Sequence, residues 1–110
     1  MAEFVAAASL AELPENGRLT LEIGERMVVL FRVGSELFCI DDVCTHDGGP
    51  LGDGELDGYH VACPRHGARF DIRTGRPLTM PATEPTARHD VKVDGDSILV
   101  RISDEESMVK

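Results

Sequence analysis

The side chains in this chain best suited to gripping a metal lie in one stretch, VCTHDGGPLGDGELDGYHVACPRHGARFD, Val43 to Asp71. It holds two of the three cysteines and three of the four histidines. Cys44 and His46 stand as C-x-H, Cys63 and His66 as C-x2-H, and sixteen residues separate His46 from Cys63. Each cluster offers one thiolate and one imidazole, so the two together make a four-fold set of two soft and two borderline ligands. Two occupants suit it. Zinc accepts Cys2His2 tetrahedrally, although its usual spacing pairs cysteine with cysteine and histidine with histidine. A [2Fe–2S] cluster offers two irons, so each loop can send its cysteine to one iron and its histidine to the other.

Such ligands need a scaffold, and the flanking sequence supplies strands. The runs Arg18 to Ile23, Arg26 to Val33 and Glu36 to Ile40 are short and β-branched or apolar, and the turn signals ENG, IGE and VGS bound them. Arg88 to Val93 and Ser97 to Ile102 repeat the style around a DGD hairpin turn. No stretch after the first dozen residues carries a sustained helical period. The expected fold is all-β, a small antiparallel sandwich or barrel. Between the strands, Asp42 to Leu56 is too rich in Gly and Pro for regular structure. Pro64 to Pro81 is similar, apart from the strand-like ARFDI. Long ordered loops in a compact domain are usually functional. At 110 residues the chain is one domain, read as 1–103 with an acidic tail at 104–110.

The formal net charge of −9 argues against nucleic acid or an anionic membrane as partner, because both call for Lys/Arg-rich surfaces. It favours a partner with a basic docking surface, although acidity also serves solubility alone. Three cysteines do not make a disulfide framework. Neither a secretory signal nor a membrane-length apolar run is visible, so a soluble, reducing, cytoplasmic setting is expected.

CTHDGGPLGDG and CPRHGARFD resemble the two cluster-binding boxes of Rieske proteins. From Phe38 to Ile102 the order of box one, acidic Gly-rich connection, box two, RTG turn, proline loop (LTMPATEP, around Pro81) and final hairpin is similar to that of a Rieske ferredoxin serving ring-hydroxylating dioxygenases. The resemblance implies the Rieske iron–sulfur fold and one [2Fe–2S] cluster per chain. In it Cys44 and Cys63 hold the inner iron, His46 and His66 the outer one, and the proline loop covers the cluster. It also implies a monomeric one-electron carrier between an NAD(P)H-dependent flavin reductase and a terminal oxygenase, not an enzyme. A nitrite-reductase-like or other redox system, a redox sensor and a zinc-stabilised interaction module are the alternatives. Gly48, Gly49 and Gly67 lie beside the ligands, where small residues let backbone N–H groups approach sulfur.

Charge sets the expected potential. Two thiolates on an oxidised +2 core give a neutral site that becomes −1 on reduction, whereas four thiolates would carry it from −2 to −3. Imidazole ligation therefore raises the potential, to roughly −150 to +300 mV against about −400 mV for plant-type ferredoxins. Rieske proteins of respiratory complexes add a disulfide between the boxes and Ser and Tyr hydroxyls near the sulfurs. At those places this chain has Gly49, Arg65, Ala68 and Phe70, which points to the low end of that range. Among the remaining candidates, Cys39 reads as a buried free thiol, and His60 and His89 as structural or exposed rather than ligands. Asp71 reads as a turn cap, and Arg65 and Arg69 as loop charges that also suit partner steering.

Overall fold

The computed structural model describes residues 3–24, 26–42, 51–52, 54–63, 68–78 and 86–102. Among these residues nine strands follow in order: β1 (Val5–Ser9), β2 (Arg18–Ile23), β3 (Arg26–Val33), β4 (Glu36–Asp41), β5 (Leu56–Asp57), β6 (His60–Ala62), β7 (Arg69–Asp71), β8 (Arg88–Asp94) and β9 (Ser97–Arg101). Every pairing is antiparallel. Six strands form one sheet in the order β1-β9-β8-β4-β3-β2, curled into a nearly closed barrel, and β5-β6-β7 form a second, smaller sheet. Five strands read from the sequence are present with ends shifted by a residue at most, and ARFDI supplies β7. Leu56, read as the end of an irregular stretch, instead opens β5.

The first strand was not legible as one. VAAAS has the alanines of a helix, but Val5, Ala6, Ala8 and Ser9 pair with Val100, Leu99, Ile98 and Ser97, with a register shift between Ala6 and Ala8. A ready-made partner edge outweighs a weak intrinsic preference. A single 3-10 turn, Leu10–Glu12, then leads away, with the Glu12 carboxylate accepting from the Ser9 N–H at 2.9 Å.

The run Val28-Val29-Leu30-Phe31 is fully buried because its strand is covered on both faces. Val28 and Leu30 join Leu13, Cys39, Ile98 and Val100 inside the barrel. Val29 and Phe31 point the other way, packing with Ile40, Leu51, Val61, Phe70 and Ile72 between barrel and small sheet. β3 and β4 are thus a wall shared by two cores, and the usual apolar–polar alternation vanishes there. Each large side chain hidden this way contributes roughly 1.5–3 kcal/mol.

The small sheet is also fastened at the end where β4 begins. The Tyr59 hydroxyl donates to Glu36 Oε1 at 2.6 Å, its ring meets Phe38 edge-on at 5.8 Å, and the Arg73 guanidinium lies 4.4 Å from its centroid. Opposite, where β4 ends, the chain enters the first Cys/His box.

Candidate metal centre

The strands deliver each loop from a fixed root. β4 ends at Asp41, three residues before Cys44, and the chain returns to described structure at Leu51, which is fully buried in the core between the sheets. β6 ends at Ala62, next to Cys63, and β7 begins at Arg69. The Cys63 N–H donates to the Ala68 carbonyl at 2.7 Å and closes this hairpin at its base. Cys63 itself is 1% exposed, a free thiol against the apolar core that includes Leu51, Val61, Ala68 and Phe70. Cys44, His46 and His66 lie outside the described residues, as do Gly48, Gly49, Arg65, Gly67 and most of the proline loop.

The roots of the two boxes are joined. The Gly52 N–H donates to Asp42 Oδ1 at 2.6 Å, tying the exit of box one to its entrance. Gly54 packs so closely on the Ala62 carbonyl oxygen that an added Cβ would collide with it, and Ala62 precedes Cys63. Arg18 on β2 donates through Nη1 to the Gly52 carbonyl at 2.9 Å and also to the Gly54 carbonyl. These two bonds were not legible in the sequence, where Arg18 reads only as the polar start of a strand.

The residues that flank the proline loop are bonded in the same region. The Leu78 N–H donates to the Arg69 carbonyl at 2.7 Å, the Thr86 N–H to the Gly75 carbonyl at 2.8 Å, and the Asp41 N–H to the Ala87 carbonyl at 2.9 Å. Gly75, at φ 82°, sits where a Cβ would strike the Thr86 carbonyl. Thr86 Oγ1 is buried with no partner among the described residues.

The other described candidates all lie on strands. Cys39 is fully buried, and burial together with the nearby Asp41 carboxylate pushes its thiol up to about 12. His89 is buried, with Nε2 at 2.8 Å from Asp41 Oδ1, and Arg26 approaches the same oxygen at 3.4 Å. His60 is half-buried on β6. Asp71 caps the turn after β7: its carboxylate accepts from the Arg73 backbone N–H at 2.9 Å and from the guanidinium at 3.0 and 2.9 Å. Those bonds hold the Asp71 carboxyl below its ordinary range, against an opposing push from burial. Arg69 lies half-buried on β7.

Taken together, the described residues present a rigid base of three loop roots, with one buried, unbridged cysteine at its apolar centre. A profile of the Rieske [2Fe-2S] domain matches residues 3–93. The chain belongs to the Rieske [2Fe-2S] domain family. Over 101 residues it is 33% identical to the ferredoxin component of the naphthalene 1,2-dioxygenase system of Pseudomonas aeruginosa, covering 92% of this chain and 97% of that protein. Its fold is similar to the ferredoxin of carbazole 1,9a-dioxygenase from Nocardioides aromaticivorans IC177, with a TM-score of 0.87 at 31% identity over 91% of this chain and 98% of that one. A chain in a complex of reduced oxygenase and oxidized ferredoxin in carbazole 1,9a-dioxygenase matches with a TM-score of 0.83 at 27% identity, covering 89% and 92%.

The family's cofactor is a [2Fe–2S] cluster, and the site fits it. Cys63 is an unbridged thiol at the bonded root of the second Cys/His loop, as a cluster ligand must be, and the apolar residues around it keep water away. The family and its ferredoxin relatives make this an electron-transfer protein, not an enzyme. Among the described residues no helix is long and apolar enough to cross a membrane.

Proposed function

We propose that Cys44 and Cys63 hold one iron of the cluster and His46 and His66 the other. The chain then passes single electrons from an NAD(P)H-dependent flavin reductase to the terminal oxygenase of a dioxygenase system. The observation that carries this reading is the joining of the two loop roots. Asp42, Gly52, Gly54 and Ala62 bring the ends of the C-x-H and C-x2-H loops to one place, which a four-ligand site shared between two loops requires. The carbazole 1,9a-dioxygenase complex, in which an oxygenase is paired with a ferredoxin, supports the oxygenase as acceptor. The bound cluster supplies one-electron storage; the protein's part is to hold it at a fixed, largely dry position.

The formal charge of −9 supports docking onto basic partner surfaces, with association that slows as salt screens the attraction. The carrier acts as a monomer at the low end of the Rieske potential range. An EPR-monitored redox titration of protein purified without oxygen tests the reading. A rhombic signal of a mixed Cys/His cluster with a midpoint of about −150 mV is expected. A colourless, EPR-silent protein containing zinc would overturn it.

A further inference from the structure

On β2 the apolar residues Leu19, Leu21 and Ile23 pack against the barrel core. The alternating positions Arg18 and Thr20 therefore take the opposite face, in register with Phe31 and Val29, whose side chains enter the core between barrel and small sheet. By its pattern this is the solvent face of an edge strand. Here it meets the strap that ends box one, made of Leu51, Gly52 and Gly54, all buried.

That strap belongs to no strand, so its carbonyls have no ladder partners, and buried carbonyls need donors. One Arg18 nitrogen, Nη1, carries two hydrogens and serves both the Gly52 and Gly54 carbonyls. Asp42 Oδ1 accepts from the Gly52 N–H. A Cβ on Gly52 would lie 2.6 Å from Thr20 Oγ1 and 3.1 Å from Asp42 Oδ1, so the strap is pressed onto these side chains. Gly54 in turn lies against the Ala62 carbonyl, one residue before Cys63.

We infer that Arg18, seated far from both boxes in sequence, is a positioning residue for the cluster: with Thr20 and Asp42 it fixes the strap that sets the spacing between the roots of the two ligand loops. The inference rests on the ligand assignment proposed above. A guanidinium suits the task because it presents its donors in a rigid plane, whereas an ammonium is a single point on a flexible stem.

The test uses cluster-loaded protein and three variants: Arg18→Gln, Arg18→Lys and, as a control on the same strand and face, Glu22→Gln. Three quantities are read: the rate at which visible absorbance is lost to excess iron chelator, the EPR g-values and line widths, and the thermal midpoint. R18Q is expected to release iron on the order of tenfold faster, the effect of losing one hydrogen bond to a charged group, and to broaden the EPR lines. R18K should fall between R18Q and the parent, and E22Q should match the parent. Parent-like release and line shape in R18Q, whatever its thermal midpoint, would overturn the inference. Should R18Q fail to fold, Gly52→Ala decides instead. Faster release with Arg18 intact supports positioning through the strap, and unchanged release refutes it. A parent protein that binds no cluster would instead refute the ligand assignment and remove this inference with it.

Discussion

Ala68 and Phe70 are fully buried on either side of Arg69, and the Ala68 carbonyl accepts from the N–H of Cys63. The double variant Ala68→Ser, Phe70→Tyr places two hydroxyls in this dry, apolar neighbourhood. A hydroxyl that finds a cluster sulfur favours the reduced state, because reduction adds one negative charge for it to stabilise. If the preference for the reduced form is on the order of 1 kcal/mol per bond, and a tenfold shift is about 59 mV for one electron, each hydroxyl raises the midpoint by roughly 40 mV. The pair then gives about 80 mV. Burial makes the alternative equally readable. A hydroxyl left without an acceptor in this core costs about 1–3 kcal/mol of stability, which a thermal scan of the same samples detects. The EPR-monitored titration should therefore show a raised midpoint with the thermal midpoint largely retained. An unchanged midpoint combined with a lowered thermal midpoint would mean that the hydroxyls are stranded, and would refute the hydrogen-bond argument for a potential at the low end of the Rieske range.

Two further outcomes follow from the titrating groups. Arg73 lowers the Asp71 carboxyl in the folded state, so the stability this group contributes is present above the ordinary carboxylate range and is lost as pH falls through the lowered folded value. Asp71→Asn should cost about 1 kcal/mol at neutral pH, and its gap to the parent in thermal midpoint should begin to narrow near about pH 4 and close only below the lowered folded value; a gap independent of pH would contradict the assignment. Cys39, with its thiol pushed up to about 12 by burial and the nearby Asp41 carboxylate, stays protonated at about pH 8. Mass spectrometry after iodoacetamide treatment of the folded, cluster-loaded protein should find Cys39 unmodified until denaturant is added, and labelling at the rate of a free thiol would refute its burial.

The strands were legible wherever turn chemistry bounded an apolar or alternating run, which covers β2, β3, β4, β8, β9 and β7. Their arrangement was less so. The run Val28-Val29-Leu30-Phe31 announces burial without saying that it separates two cores, because that depends on a second sheet contributed by residues far along the chain. β1 was hidden by its alanines, whose helical preference yields to the open edge of β9. The proposed ligand set, Cys44, His46, Cys63 and His66, rests on residue type and spacing alone, which the sequence displays openly. The supporting contacts are not displayed in that way. Arg18 and Asp42 owe their roles to a strap that returns across the face of β2, a meeting set by tertiary packing and invisible to local pattern. Asp71, by contrast, was readable as a cap because its partner Arg73 is only two residues away.

The tied loop roots also bear on how fast an electron can move. Electron exchange is slowed by whatever nuclei must rearrange when the charge changes by one, the reorganisation energy of the carrier. Backbone bonds from Cys63 to Ala68, Leu78 to Arg69 and Asp41 to Ala87, together with the Asp42 carboxylate on Gly52, leave the base on which the ligand loops stand little freedom to relax after each transfer. The more such bonds hold a carrier's frame in place, the smaller the share of the activation cost that comes from adjusting the protein.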